Sequence, residues 1–273
     1  MTNKLRHIAQ FILLGALFVG ASAFAQVSTV VGSKHDFTSG GQAQATTGAT
    51  NQVCVFCHTP HGADTTAPVP LWNKVLDPNQ TYTRYSTLAT PSFDSLEAPV
   101  GSVSLACLSC HDGTQAMDVV LNAPGSGGYN AAGAEIDINA IDEMTTPPVP
   151  NLGQDLSNDH PVSMQYAGGG PAEGDAEGTF QGVLGDPDFN PPEMVLINTQ
   201  PIWWVDGPDG TAGTREKTDM LLYTRPDLGT RQPFVECGSC HDPHNSLNDG
   251  GQQVSFLRTS NAASAVCVAC HTK

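Results

Sequence analysis

Cys54-Val-Phe-Cys57-His58, Cys107-Leu-Ser-Cys110-His111, Cys237-Gly-Ser-Cys240-His241 and Cys267-Val-Ala-Cys270-His271 hold all eight cysteines of this 273-residue chain. Two thiols three positions apart, with a histidine directly after the second, form the pattern that attaches haem c. The thiols add across the porphyrin's vinyl groups, and the histidine is held under the ring as an iron ligand. With 8 Cys and 9 His in the chain, random placement gives roughly 0.01 copies of such a motif. A disulfide framework leaves the four histidines unexplained. A zinc site pairs two half-motifs and needs no histidine directly after each. The motifs therefore imply four covalently attached haem c groups, with Cys54, Cys57, Cys107, Cys110, Cys237, Cys240, Cys267 and Cys270 as attachment thiols and His58, His111, His241 and His271 as proximal ligands.

Haem iron takes two axial ligands. Outside the motifs and the N-terminal segment, the chain has four further histidines: His35, His61, His160 and His244. That equality predicts bis-histidine ligation at every iron. Met117, Met144, Met164, Met194 and Met220 are rival ligands, better suited to filling gaps in a core. Histidine at both positions sets a lower potential than a histidine/methionine pair. It also leaves no open position for a substrate, so no catalytic residue is expected and the chain reads as an electron-transfer protein rather than an enzyme.

His58-Thr-Pro-His61 and His241-Asp-Pro-His244 share one form, and each precedes a plain motif, so the layout reads as two doubled units. His61 cannot reach the iron that His58 holds from the same side, and three residues of chain span at most roughly 10–11 Å. It must face a neighbouring haem. His244 imposes the same constraint beside His241.

The N-terminus reads as an export signal, 1–25: Lys4, Arg6 and His7, an apolar run from Ile8 to Gly20, then Ala23-Phe24-Ala25 as the cleavage site. The run is too short for a permanent membrane span. Residues 26–273 are expected to form a single tetrahaem domain, with an arm at 26–53 and a loop-rich insertion at 112–236. The charge of −16 becomes about −18 once Lys4 and Arg6 are removed, which argues against nucleic acid and anionic membranes as partners. With 28 Gly, 20 Pro and 7% aromatic residues, the expected fold is mostly irregular and loop-rich. It would have short helices at the haem motifs, few short strands and a haem stack as core. The apolar runs 194–197, 202–205 and 220–223 suit short strands. Proline pairs such as Pro147-Pro148 and Pro191-Pro192 mark loops. Trp203-Trp204 reads as core or haem-edge packing. Asp186-Pro-Asp-Phe-Asn190 lacks the ligand spacing of an EF-hand.

Motif order over nearly the whole chain, with Pro70-Leu-Trp-Asn73, Cys107-Leu-Ser-Cys-His-Asp-Gly113, Leu156-Ser-Asn-Asp-His-Pro161 and Phe256-Leu-Arg258 between the haem motifs, resembles the doubled-CxxCH multihaem c-type cytochromes. Within them the chain is similar to the tetrahaem, filament-forming extracellular cytochromes (cytochrome nanowires) of metal-reducing bacteria. The resemblance implies a conductive polymer at the cell surface, in which one axial histidine crosses to a haem of the adjacent subunit. His61 is its first candidate and His35, on the N-terminal arm, its second. Redox donors and extracellular acceptors are the other implied partners. The alternatives are a soluble periplasmic tetrahaem shuttle with all four distal ligands in cis, and a haem reductase with one open iron.

Overall fold

The apolar runs of the cysteine-free segment lie in three consecutive strands of one sheet in a computed structural model of the chain. The structure describes residues 30–43, 45–77, 79–90, 95–125, 129, 132, 138, 141–144, 150–169, 184–208, 211–245, 248–249, 252–253 and 255–273. The expected leader and the Pro147-Pro148 pair lie outside these residues. The sheet comprises β1 (Met164–Gln165), β2 (Glu193–Ile197), β3 (Gln200–Val205), β4 (Met220–Arg225) and β5 (Thr230–Val235). Its spatial order is β1-β5-β4-β3-β2, antiparallel throughout. It is more regular than the few short strands expected from composition. A small ribbon pairs β6 (Asn248–Asp249) with β7 (Gln252–Gln253).

Asn198-Thr199 closes the β2–β3 hairpin with φ of 50° and 67°, the left-handed pair that a tight two-residue turn requires. Pro201 pairs with Leu196 of β2, whereas β4 meets β3 only from Trp203 onward. Its missing N–H therefore removes no bond from the β4 ladder. The two-residue period of the strands gathers Met194, Trp203, Val205, Met220 and Leu222 with Tyr166, Ala167 and Ala269 into one apolar cluster. Cys240, Val266 and Cys270 pack against it, so the sheet forms a floor beneath the third and fourth motifs. A second cluster, Phe37, Val55, Phe56, Met117, Ile138, Ile141 and Met144, packs against Cys57 and Cys110 of the first two motifs. A third, smaller cluster of Trp72, Leu76 and Ala106 also packs against Cys57. Four of the five candidate methionines are core, and Trp203 and Trp204 are buried.

Every motif sits on a helical turn, which brings residues i and i+3 to one face. The first follows a 3₁₀ turn at Val53–Phe56, and the second ends α1 (Ser102–His111). The third is α2 (Cys237–Cys240), and the fourth begins within α3 (Ala265–Val268). α2 lies so close to β4 that a Cβ at Gly238 would come 2.5 Å from the Tyr223 hydroxyl. Among the described residues, no helix is long and apolar enough to cross a membrane.

Asn73 ties the first motif to the segment after the second. Its amide donates to the carbonyls of Val55 (2.6 Å) and Asn122 (2.9 Å), and its Oδ1 accepts from the Asn122 N–H at 2.9 Å. Asn73→Ala strands these groups in a buried site and is expected to lower unfolding stability by about 3 kcal/mol. A urea midpoint unchanged from the parent protein would refute that.

Candidate haem sites

Five of the eight candidate axial histidines have Nδ1 directed at a backbone carbonyl. The partners are Pro70 for His58 (2.8 Å), Pro150 for His111 (2.9 Å), Ser255 for His241 (2.6 Å), Pro161 for His160 (3.1 Å) and Pro243 for His35 (3.4 Å). With the proton on Nδ1, each ring donates that bond and turns an unprotonated Nε2 outward. This is the tautomer and the second-shell support that a metal-ligating imidazole needs. His244 instead faces Asp242 Oδ1 at 3.4 Å.

The first and third motifs build this support identically. The Thr59 N–H donates to Leu71 O and the Asn73 N–H to Cys57 O. In the third motif, the Asp242 N–H donates to Phe256 O and the Arg258 N–H to Cys240 O. Leu71 and Phe256 occupy equivalent places, and both have positive φ, 56° and 58°. Such a conformation is uncommon for large side chains, and here it follows directly on the carbonyl that anchors the motif histidine. Pro70, Ser255 and Pro150 were not legible as site residues because they act through their main chain. The only sequence trace is the faint parallel between residues 70–73 and 255–258.

Three pairs of histidine rings stand opposite each other, each joining a motif histidine to a spare one. The centroids are 6.1 Å apart for His58 and His244, 6.1 Å for His111 and His35, and 6.3 Å for His271 and His160. Two imidazoles bound through Nε2 to opposite faces of one metal, at about 2.0–2.1 Å each, place their centroids about 6 Å apart. The residues present fit bis-histidine iron at three motifs. The rings of His35, His111 and His271 are disposed to be neutral, whereas the Asp242 carboxylate raises His244. Burial, with His111 beside it, lowers His35 to about 4, and burial lowers His111 and His271. His61 and His241 are exposed, and among the described residues no histidine ring stands opposite either. His35 reaches its place by stacking on Phe256, centroids 4.1 Å apart.

The cysteines of neighbouring motifs lie close enough to influence one another. Burial and the neighbouring Cys110 push Cys57 up to about 12. The Cys107 thiol donates to Cys237; burial, with Cys237 and Cys267 beside it, raises Cys240 to about 11, and burial, with Cys240 beside it, raises Cys270 to about 12. The turn at 186–190 clamps the fourth motif. The Asn190 N–H donates to Cys270 O, the Thr272 N–H to Asp188 O, and Phe189 lies 4.4 Å from the His271 ring. Among the described residues, no group of three or more His, Cys, Asp or Glu is placed to hold a bare metal ion.

No curated protein matches this chain. The family described as doubled CXXCH motif matches residues 232–273, the third and fourth motifs. That match and the four motifs mark the chain as a multihaem c-type cytochrome-like protein, carrying covalently attached haem c and suited to electron transfer.

Proposed function

We propose that this protein is a tetrahaem, bis-histidine c-type cytochrome, exported from the cell, that polymerises into an extracellular electron-conducting filament. The observation that carries the reading is the single unmatched pair. Six candidate ligands form three opposed pairs, which leaves one spare histidine, His61, and one motif histidine, His241. Within the chain, His244 of the second doubled unit reaches back to His58 of the first. The same relation carried to a second copy sets His61 of one subunit against His241 of the next. The contact uses different surfaces on its two sides, so it is heterologous, and repetition without closure gives a filament. The surface around His61 suits a subunit contact. Leu71 and Leu121 are 52% and 41% exposed. Both are bonded into the His61 loop, Leu71 through Thr59 and Leu121 through Asn73 and its neighbour Asn122, whose amide donates to His61 O at 3.0 Å.

Haem iron takes up and passes on one electron at a time, and the polypeptide's part is to hold neighbouring rings in range. His244 is tethered to His241, and His61 to His58, by three residues each, roughly 10–11 Å of chain. Successive haems are thereby kept adjacent within the subunit and across its boundary. Cryo-electron microscopy of material sheared from producing cells is the test. Thin filaments of this chain, with an unbroken haem line and His61 crossing the boundary, are the expected result. A stable monomer with four low-spin haems, confined to the periplasm, would replace this reading with the shuttle. A high-spin haem that binds carbon monoxide would favour a reductase.

A further inference from the structure

Lys74 carries its charge into the interior without a counter-charge. It is 1% exposed, and its ammonium donates to the carbonyls of Val119 (2.8 Å) and Ala116 (3.1 Å). No ion pair joins it to a carboxylate among the described residues, whereas the other fully buried cation, Arg225, pairs with Asp227 and Glu236. A buried ammonium of this kind is costly, so its position calls for a reason. It bridges the first two motifs. Asn73, the preceding residue, is bonded to Cys57 O, and Ala116 and Val119 lie in the loop that follows His111. Its charge reaches the thiols of both Cys57 and Cys110, and at Cys110 it outweighs the opposing Asp112. Among the described residues, the last two motifs have no buried cation without a carboxylate partner. Cys237 feels the carboxylate of Glu236, and Cys240 feels Arg258, which faces Asp242 at 3.9 Å.

We propose that Lys74 is a potential-setting residue, making the haems on Cys54/Cys57 and Cys107/Cys110 easier to reduce than the second pair. Each reduction adds one electron to iron(III) to give iron(II) and moves no atom. The site loses one unit of positive charge, so a fixed cation nearby favours the reduced form. A unit charge about 10 Å away, at an effective dielectric constant of about 20, shifts such an equilibrium by about tenfold. For a one-electron couple this is about 59 mV. Along the haem line, electrons would then dwell on the first doubled unit of each subunit. The inference rests on the haem-carrying reading above and needs no polymer.

The experiment is a redox titration of the holoprotein, followed in the visible haem bands, after haem per chain and spin state have been measured. Lys74→Gln removes the charge but can still donate to a carbonyl. It is expected to move one or two of the four steps to lower potential by about 59 mV and to leave the rest in place. The shift should persist at high salt, because buried charges are weakly screened. Lys74→Arg keeps the parent potentials. Lys74→Met serves as a second neutral variant should Lys74→Gln fold poorly. Full haem content and low-spin spectra with no step moved would overturn the role of Lys74, as would an equal shift of all four. Missing haem in the unaltered protein would instead overturn the tetrahaem reading.

Discussion

His61→Ala is expected to leave one haem in four high-spin and to abolish assembly. The two losses are linked because the same imidazole serves as ligand and as subunit contact. His35→Ala and His160→Ala provide the contrast. Their rings stand opposite His111 and His271 in the same chain, so each should give one high-spin haem in a protein that still assembles. Added imidazole sharpens the test, since it can refill the coordination position left by His61→Ala but cannot restore the tether to the neighbouring subunit. Low-spin spectra should return and filaments should not. The readouts are the high-spin band near the visible haem absorption and particle length by electron microscopy. A His61→Ala protein with normal filaments and four low-spin haems would remove His61 from the boundary, and His241 would then need another partner.

The ligand types were legible in the sequence because they are written as spacing. Cys-x-x-Cys-His fixes two thiols and one imidazole within five residues, and the second histidine in His58-Thr-Pro-His61 and His241-Asp-Pro-His244 is bound to its neighbour by the same short chain. The pairing was not legible. It depends on contacts between residues far apart in sequence, such as His35 with Phe256 and Pro243. The strands were readable where apolar residues run together, at 194–197, 202–205 and 220–223. Their assembly into one five-stranded sheet was not, because β1 contributes only Met164 and Gln165, too short to leave a pattern. The carbonyls that orient the motif histidines left no signal either, since Pro70, Pro150 and Ser255 act through groups that every residue possesses. Positive φ at Leu71 and Phe256 runs against what their side chains would suggest. Local preference is overridden there, as happens where a functional geometry is imposed.

Relative to Glu236→Gln, the stability of the parent protein should fall as pH rises from about 4.5 to about 7. The Glu236 carboxylate is 1% exposed, one residue before the third motif. Oε2 accepts from the hydroxyls of Ser104 at 2.5 Å and Ser163 at 3.1 Å, and Oε1 faces Arg225 Nη1 at 3.5 Å. Its N–H donates to Ser239 Oγ at 3.0 Å, completing a cap on α2. Ser104 belongs to α1, so this one side chain locks the second motif to the third. Burial pushes Glu236 up to about 7, against the opposing bonds from Ser104 and the charge of Arg225. Between its ordinary value and 7 the folded chain holds a proton that the unfolded chain releases. The contribution is therefore largest at the acid end and is lost as pH rises through the window, by about 3 kcal/mol. Glu236→Gln should keep the hydroxyl bonds and flatten this dependence. Glu193 and Asp219, also raised by burial, and His35, His111 and His271, lowered by it and opposite in sign, titrate in both proteins, so the difference between the two urea-midpoint profiles isolates Glu236. Glu236→Leu is expected to be worse at every pH. It strips Arg225 of one of its two carboxylates and both serines of their acceptor, at a cost of about 3 kcal/mol. A parent protein whose midpoint rises between pH 4.5 and 7, with Glu236→Gln following it in parallel, would show that Glu236 is ionised throughout and that Arg225 outweighs its burial.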